Sequence, residues 1–390
     1  MIKAHITIIV VLSCIQLNAQ TLTGVVYDKT TKQPIPDVFA YLNGTSIVDL
    51  TDNSGKFTLT VRQVLNTQLV LSHLAYHTLI IETPFSNLPD TIYLEERLNM
   101  LGEIVVQGDK FTLRQKMRAF REQFLGMTQA GQSCKIINES DIQIWFNLST
   151  NTLMASSEQP IEVINEYLGY RVLFTLVDFR TKYSDVSLDP SKIESSYYAV
   201  TTSFTDFGMN NARIKRRRDD VYKQSTNFFF RNFAYDPLFG SDIYGTPIFR
   251  VFKTSDGSQI DPRSYFSIKD TLSQKIIFIP AAITERRNPD RSLLRINVFN
   301  SEISADDYYR FGGAANSSSF LSGFARTSSS SNTSTLQRDR SPQTYSSIHF
   351  FTNTLFVDQY GNIDKIDKVI FSGPMGLGRA GDMLPIDYEP

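Results

Sequence analysis

The sequence predicts a mainly β protein with some α-helix, in which a small N-terminal β-sandwich precedes a larger, antiparallel β-rich α+β domain. Aromatic residues make up 12% of the 390 residues, including 28 Phe and 18 Tyr, and aromatic side chains favour half-buried pleated strands. Short segments that alternate apolar and polar residues recur between turn residues along most of the chain. Two segments, residues 109–128 and 212–233, show the longer period of a helix instead.

The first 19 residues have the organisation of a secretory signal peptide. Lys3 supplies a positive charge, residues 6–12 form a short apolar core, and Ala19-Gln20 is a suitable cleavage site. The alternative is a loose lipobox that ends at Cys14, which would make the mature protein a lipoprotein. The apolar core is shorter than the ~20 residues that span a bilayer, and no later stretch is long and apolar enough. We therefore expect export, with no transmembrane segment in the mature chain.

Residues 22–61 contain the turn and strand signals of a small β-sandwich. Asp28 ends the first strand, and Pro34 introduces an extended segment that cannot donate a hydrogen bond to a strand ladder. Asn43-Gly44 suits a tight hairpin turn, and Gly55 suits the left-handed position before the next strand. Three apolar residues then alternate with polar ones and predict a strand with one buried face: Phe57, Leu59 and Val61.

This pattern resembles the carboxypeptidase-regulatory-like module, a transthyretin-like β-sandwich, over residues 22–94. Residues 101–108 are similar to the strand that follows this module in TonB-dependent transporters of the starch-utilisation type. Those transporters continue into a plug and a large barrel, whereas the roughly 280 residues that follow here lack the long series of alternating strands of such a barrel. The resemblance therefore implies a barrel-less relative of these transporters at its N-terminus, and it implies no reaction.

Several later sequence segments resemble those of secreted Gram-negative proteins that carry one such module and no barrel. They include Tyr167-Leu-Gly-Tyr170, Tyr222-Lys-Gln-Ser225 and the ending Asp382-Met-Leu-Pro-Ile-Asp-Tyr-Glu-Pro390. The resemblance implies a periplasmic or outer-membrane-associated location. Because that family has no assigned activity, it supplies no functional residues to this chain.

The patterns predict four parts in the chain: a signal peptide, the β-sandwich, a linker strand with an amphipathic helix, and one large β-rich α+β domain. Serine and threonine supply 12 of the 20 residues from 316 to 335, a composition that cannot bury a core. Residues 315–346 are therefore predicted as a loop of the large domain. The predicted bounds of the four parts are residues 1–19, 20–96, 97–130 and 131–390.

Apolar residues at helical spacing predict two helices. The first has Asp109 as its N-cap and ends near Gly126, and its basic surface, which includes Lys116, is predicted to be solvated. The second helix spans residues 212–233. The apolar stripe of the first helix consists of Leu113, Met117, Phe120 and Phe124.

Metal-dependent peptidase chemistry is not expected. A catalytic zinc needs three convergent protein ligands, and the chain after the predicted cleavage site has three histidines, His73, His77 and His349. His73 and His77 lie in a segment that reads as a strand, where four residues rise ~13 Å, so they are too far apart to share one metal. We therefore predict no metal site.

Nucleophilic and nucleotide-dependent sites are also not expected. The sequence has no Gly-x-Ser-x-Gly motif, and Cys134, without a recognisable histidine partner, is predicted as a buried structural residue. The glycine-rich segment at 373–378 lacks the Lys-Ser/Thr of a phosphate-binding loop. Adjacent carboxylates at Asp219-Asp220 and Asp306-Asp307 leave a glycosidase pair open, because sequence cannot place them across a cleft. No catalytic or cofactor-binding residue is assigned.

Charge argues against nucleic acid as a partner. The formal net charge is −1, and the most basic run, Lys215 to Arg218, is followed by Asp219 and Asp220 as ion-pair partners. We interpret this run as a solvated, salt-bridged helix surface. The sequence therefore predicts a non-enzymatic cell-envelope protein with a binding or structural role toward a protein partner or a glycan. The alternative is a polysaccharide-acting hydrolase, which clustered carboxylates in a deep cleft of the second domain would favour.

Overall fold

The structure is a computed structural model that describes residues 20–97, 110–208, 211–236, 248–253, 257–280, 294–300, 345–376 and 378–390. Several predictions fall outside these residues: the signal peptide, the strand at 101–108, the N-cap at Asp109 and nearly all of the loop at 315–346. The described residues are mainly β with five α-helices, which confirms the predicted fold class. None of the helices within the described ranges has the length and apolarity needed to cross a membrane.

Seven strands form the N-terminal sandwich in two sheets. One sheet has the order β4-β1-β7, with β7 parallel to β1, and the other has the antiparallel order β3-β2-β5-β6. The strands are β1 Gln20–Asp28, β2 Phe39–Leu42, β3 Val48–Leu50, β4 Lys56–Val61, β5 Leu69–Ser72, β6 Leu79–Ile81 and β7 Thr91–Leu94.

Three local signals of the sandwich act as predicted. The Asp28 carboxylate accepts the backbone N–H groups of Thr30 and Thr31 at 2.7 Å, which turns the chain at the end of β1. Gly55 has a φ of 76°, and a Cβ there would lie 2.4 Å from the carbonyl oxygen of Val26. Strand β4 then alternates exposed and buried residues along its whole length, so one face enters the core between the sheets.

A second set of elements forms the middle unit, whose six antiparallel strands lie under a helix. The long strand β12 pairs with β11 and then β10 along one edge, and with β13 along the other. Phe120 and Phe124 of α1 pack on this sheet. The elements are α1 Leu113–Phe124, α2 Gln129–Gln132, β8 Cys134–Ile136, β9 Ile142–Asn147, β10 Thr152–Ser157, β11 Ile161–Asn165, β12 Tyr170–Tyr183, β13 Ile193–Asp206 and α3 Ala212–Tyr222.

Helix α1 buries its predicted apolar stripe from Met117 onward and differs from the prediction over its first turn. Thr112 is the N-cap and forms a capping box with Gln115, so the helix starts later than a cap at Asp109 would place it. Leu113 is 62% exposed, whereas Lys116, predicted on the solvated face, is 5% exposed. The long aliphatic stem of lysine lets this position lie beside the core.

The third unit has its own core, so the segment predicted as one domain contains two separate hydrophobic clusters. Its sheets have the orders β15-β14-β18-β19-β21 and β16-β17-β20. The elements are α4 Thr226–Tyr235, β14 Phe249–Lys253, β15 Gln259–Ile260, α5 Pro262–Tyr265, β16 Ser267–Asp270, β17 Lys275–Phe278, β18 Leu294–Asn300, β19 Tyr345–Phe350, β20 Thr354–Val357 and β21 Val369–Ser372.

The single helix predicted over residues 212–233 is wrong, because two helices occupy this segment. Helix α3 ends at Tyr222, and the Ser225 side chain accepts the backbone N–H of Phe228 at 3.1 Å, which caps α4. The break lets α3 lie on the middle unit while the aromatic residues of α4 enter the core of the third unit.

The sandwich docks on the outer edge of β13. The Tyr41 hydroxyl lies 2.8 Å from the Thr201 hydroxyl, and Gly44 donates its N–H to the Thr202 carbonyl at 2.7 Å. The Phe204 N–H in turn reaches the Thr45 carbonyl at 2.9 Å. The connection between β2 and β3 is therefore longer than the predicted tight turn, because its backbone extends to pair with β13. One face of β13 covers the α1 core and the other covers the sandwich, which explains its long buried run.

Candidate functional site

A cleft of about 570 Å³ lies between the sandwich and the third unit. The sandwich contributes the loop after β4 and the loop between β6 and β7, and the third unit contributes the start of α4 and the hairpin after β20. Ligand sites of several hundred Å³ occur preferentially where two structural units meet. The cleft is therefore the leading candidate site among the described residues.

A buried aspartate holds the floor of the cleft together. Asp358 follows β20 and is fully buried, and its carboxylate accepts the backbone N–H groups of Tyr360 and Asn362 at 2.9 and 3.0 Å. It also accepts the backbone N–H of Asn66 at 2.9 Å, from the loop after β4. Burial raises the pKa of Asp358, while these N–H donors favour its ionised form. This carboxylate fixes the two sides of the cleft relative to each other.

Residues 358–362, Asp-Gln-Tyr-Gly-Asn, have the residue types that predict a hairpin turn, and this turn positions the amides of the floor. A Cβ on Gly361 would lie 2.0 Å from the carbonyl oxygen of Asn227, so the absence of a side chain lets the start of α4 approach. Asn227 then donates its side-chain amide to the Oδ1 of Asn362. The Asn66 amide donates to the Asn362 carbonyl at 2.9 Å and accepts from Gln274 at 2.8 Å.

Side-chain amides are the commonest polar group in the lining. Each amide has two N–H donors and an oxygen with two lone pairs, so the hydrogen bonds within the cleft use only part of this capacity and the rest can match a ligand. Apolar side chains lie beside them, including half-buried Phe85 and Ile386. The amides are those of Asn43, Asn66, Gln68, Asn227, Gln274 and Asn362.

Three carboxylates line the cleft. Glu82, on the sandwich side, accepts the Gln68 amide at 2.7 Å. Asp364 accepts the backbone N–H of Phe356 at 2.8 Å, and the partial burial of its side chain raises its pKa. Asp367 lies at the edge, with Lys368 at 2.7 Å. Among the described residues that line the cleft there is no lysine, arginine or histidine.

The prediction that His73 and His77 lie in one strand is wrong. Strand β5 ends at Ser72 and β6 begins at Leu79, so the two histidines flank a turn. The turn is held by Tyr76, whose hydroxyl donates to Asp28 at 2.8 Å. Within the described ranges, no group of three or more His, Cys, Asp or Glu side chains has an arrangement that could hold a metal ion.

The basic run on α3 is only partly the solvated surface that the sequence predicts. Arg218 is 5% exposed, pairs with Asp206 at 2.7 Å and donates to the Leu168 carbonyl at 2.7 Å. Its guanidinium also lies 3.8 Å from the ring centroid of Tyr170. Arg218 thus anchors α3 to the middle unit, whereas Lys215 remains exposed and faces Asp219 at 3.4 Å.

Cys134 has the environment of a structural residue. Its Sγ lies 3.3 Å from the Ala130 carbonyl oxygen, and burial raises the pKa of the thiol to about 12. Because the thiolate is the reactive form, this environment disfavours nucleophilic chemistry. Of the carboxylate pairs considered from sequence, Asp219 accepts the Tyr388 hydroxyl at 2.7 Å on α3, and Asp306-Asp307 lies outside the described residues.

Sequence reasoning does not find the cleft residues. Asn66 and Asp358 are 292 positions apart, and the amides lie in loops where asparagine and glutamine are common. The one local signal is the turn at residues 358–362, which the sequence does predict. Its second role as the anchor of the Asn66 loop depends on tertiary structure alone.

Comparison with protein families supports the identity of the N-terminal region. Residues 22–106 match the model of the CarboxypepD_reg-like domain, which confirms the predicted module. The match ends before the middle unit begins, so it describes the sandwich and not the rest of the chain. Comparisons with curated proteins and with solved structures yielded no match.

Proposed function

We propose that this chain is a non-enzymatic cell-envelope protein that binds a glycan in the cleft between its CarboxypepD_reg-like module and its third unit. The observation that carries the proposal is the lining of the cleft, where side-chain amides lie beside carboxylates and apolar side chains. Sugar hydroxyl groups donate and accept hydrogen bonds, and amides and carboxylates supply the matching groups. The apolar side chains suit the less polar faces of a sugar ring.

The dimensions favour a small extended ligand over a folded protein partner. A volume of about 570 Å³ lies within the ~300–1,000 Å³ range of small-molecule sites. A stable protein–protein interface instead buries roughly 1,200–2,000 Å² of broad surface. A short segment of a polysaccharide fits such a concave site.

A polysaccharide hydrolase is the second candidate, and one observation favours it. Burial raises the pKa of Asp364 in the cleft, as a general acid requires, and Glu82 lies on the opposite wall. Asp364 is, however, already used as the acceptor for the Phe356 N–H, and Glu82 is held by Gln68. These contacts support a role in shaping the site, so binding without hydrolysis is the preferred function.

A matched pair of blocking variants tests the site. Thr83 is exposed at the cleft wall, whereas Thr60 is exposed on β4 and does not line the cleft. Binding of neutral oligosaccharides should be measured by calorimetry for the chain from Gln20 and for the variants Thr83→Trp and Thr60→Trp. We expect at least tenfold weaker binding for Thr83→Trp and unchanged binding for Thr60→Trp. Equal affinities for both, or no binding to any oligosaccharide, would overturn the proposal.

Product analysis separates the two candidate functions. Bound oligosaccharides should be recovered intact after long incubation if the protein only binds them. New reducing ends that disappear in Asp364→Asn would replace the binding proposal with the hydrolase.

The envelope location has its own test. The signal-like residues 1–19 support export, and the mature protein should begin at Gln20 when its mass is measured after secretion. An acylated N-terminus at Cys14 would identify a lipoprotein, and an intact Met1 would contradict export.

A further inference from the structure

We infer that the cleft selects glycans that carry protonated amino groups and rejects glycans that carry carboxylates. This inference rests on the proposed function and adds the charge of the ligand. All three ionisable side chains that line the cleft among the described residues are carboxylates, Glu82, Asp364 and Asp367. A concave site with one sign of charge concentrates ligands of the opposite sign.

Glu82 is the carboxylate best placed to meet a cation. It is exposed at the sandwich wall, and its contact is a neutral amide, the Nε2 of Gln68 at 2.7 Å. The other face of Gln68 is already occupied, because its Oε1 accepts the Asn43 amide at 2.9 Å. These two hydrogen bonds hold the Glu82 side chain toward the cleft. A ligand ammonium group could replace water on the remaining lone pairs of the carboxylate.

The nearby lysines offset Asp364 and Asp367 but not Glu82. The Lys365 ammonium donates to the carbonyl and hydroxyl oxygens of Thr354 at 3.1 and 3.0 Å, and it lies 4.0 Å from Asp364. Lys368 pairs with Asp367 at the edge. Neither lysine is among the residues that line the cleft, and Glu82 lies on the other wall.

Two further carboxylates lie near the floor of the cleft. Asp358 is buried there, and burial raises the pKa of Asp387, the residue after the cleft-lining Ile386. Anionic sugars would therefore meet no cation among the residues that line the cleft, since Lys365 and Lys368 lie outside the lining, beside its carboxylates. Neutral sugars would keep the amide contacts, and amino sugars would add an ion pair.

Oligomers of glucosamine and of N-acetylglucosamine with equal length form a matched pair of probes, because each sugar unit carries a protonatable amine in the first and a neutral acetamide in the second. An oligouronate serves as the anionic probe. Calorimetric titrations at a mildly acidic pH, where the glucosamine amine is protonated, should show at least tenfold tighter binding of the glucosamine oligomer. The oligouronate should bind most weakly, and added salt should reduce the preference.

The variant Glu82→Gln keeps the size and the amide contact but removes the charge. It should lose most of the preference for the glucosamine oligomer and keep its affinity for the acetylated one. Glu158→Gln, an exposed carboxylate in the middle unit, is the control and should bind as the unchanged protein does. Circular dichroism should confirm that both variants fold.

The outcomes separate this inference from the proposed function. Equal affinity for the two glucosamine-based oligomers, or tightest binding of the oligouronate, overturns the charge selection and leaves glycan binding intact. An unchanged preference in Glu82→Gln also overturns it. If no oligosaccharide binds, neutral ones included, the proposed function itself is overturned.

Discussion

The CarboxypepD_reg-like module contacts the rest of the chain at two interfaces that differ in how they are built. Toward the middle unit the contact is closed by backbone pairing, with residues 43–45 bonded to the edge of β13. Toward the third unit the contact depends on side chains around Asp358, and a cleft of about 570 Å³ remains beside them. Backbone pairing brings two surfaces into continuous contact, whereas the hydrogen bonds of a single side chain fix the orientation of the surfaces and leave space between them. The second interface is therefore the one that can hold a ligand.

The C-terminal segment, residues 378–390, connects the two interfaces. Ile386 donates its N–H to the Gly44 carbonyl at 2.8 Å, next to the pairing with β13. Its own carbonyl accepts the Asn362 amide at 3.1 Å, within the floor of the cleft. A perturbation of this segment is thus expected to reach both interfaces.

The largest effect on stability is expected from removal of the Asp358 carboxylate. Asp358→Ala leaves four N–H donors from three residues without their acceptor in a buried site. The free energy of unfolding should fall by roughly 3–5 kcal/mol, because each buried unpaired donor costs about 1–3 kcal/mol and the costs overlap. Urea unfolding measures the change.

Asp367→Ala is the matched control, because this aspartate lies in the same connection between β20 and β21 but is exposed. Its free energy of unfolding should change little, by less than ~0.5 kcal/mol. Similar midpoints for the two variants would show that Asp358 does not anchor the open interface.

A pH-dependent effect is expected where the C-terminal segment docks on the middle unit. Asp382 is buried there, accepts the Thr128 hydroxyl and the Arg379 N–H, and burial raises its pKa to about 6 from 3.8. The folded state therefore holds a proton that the unfolded chain releases at lower pH. Its stabilising contribution is complete below pH 3.8 and is lost as the pH rises through about 6.

Asp382→Asn should remove this dependence of the free energy of unfolding on pH. An asparagine can donate to the Thr128 hydroxyl and still accept the Arg379 N–H, so it resembles the protonated carboxyl. The difference in pH dependence of unfolding between the two proteins should be on the order of 2–3 kcal/mol across this window. The pH dependence is compared rather than the absolute stability, because asparagine also removes the negative charge that buried Arg379 faces above about pH 6, where Asp382 is ionised. Parallel pH profiles would contradict the prediction.

A glycine pair measures the packing at the closed interface. Gly44 has a φ of 80°, and a Cβ there would lie 2.9 Å from the Ile386 side chain, whereas Gly257 has a φ of 70° and no atom within 4 Å of such a Cβ. Alanine costs about 1–2 kcal/mol in the left-handed region at both positions. Gly44→Ala should therefore destabilise by roughly 2 kcal/mol, about 1 kcal/mol more than Gly257→Ala. Equal losses in the free energy of unfolding would mean that the C-terminal segment accommodates the added methyl group without a free-energy cost.

The two interfaces also mark the limit of what the sequence predicts. The sandwich follows from local signals, since Gly55 sets a turn and β4 alternates buried and exposed residues. The contact of Asn66 with Asp358 joins residues 292 positions apart, and no local pattern distinguishes that aspartate from any other turn residue. The cleft is produced by this contact, so the sequence could predict its turn but not its walls.

The helices show a different kind of limit. The apolar stripe continues through the break between α3 and α4, so periodicity alone predicts one helix. Ser225, a good N-cap residue, was the available signal for the break. Burial of Lys116 and Arg218 had no such signal, because long cationic side chains on a helix are usually solvated and only their tertiary contacts bury them.

The smallest effect is expected from the Tyr41 hydroxyl, which adds a side-chain contact to the backbone pairing of the closed interface. This buried hydroxyl lies 2.8 Å from the Thr201 hydroxyl and 3.2 Å from that of Thr175. Tyr41→Phe keeps the ring and removes the bridge, so the free energy of unfolding should fall by about 1 kcal/mol. Tyr93→Phe, on the exposed face of β7, is the control and should unfold at an unchanged urea concentration. If Tyr41→Phe cost as much as Asp358→Ala, side chains rather than the backbone would hold both interfaces, and the contrast between them would fail.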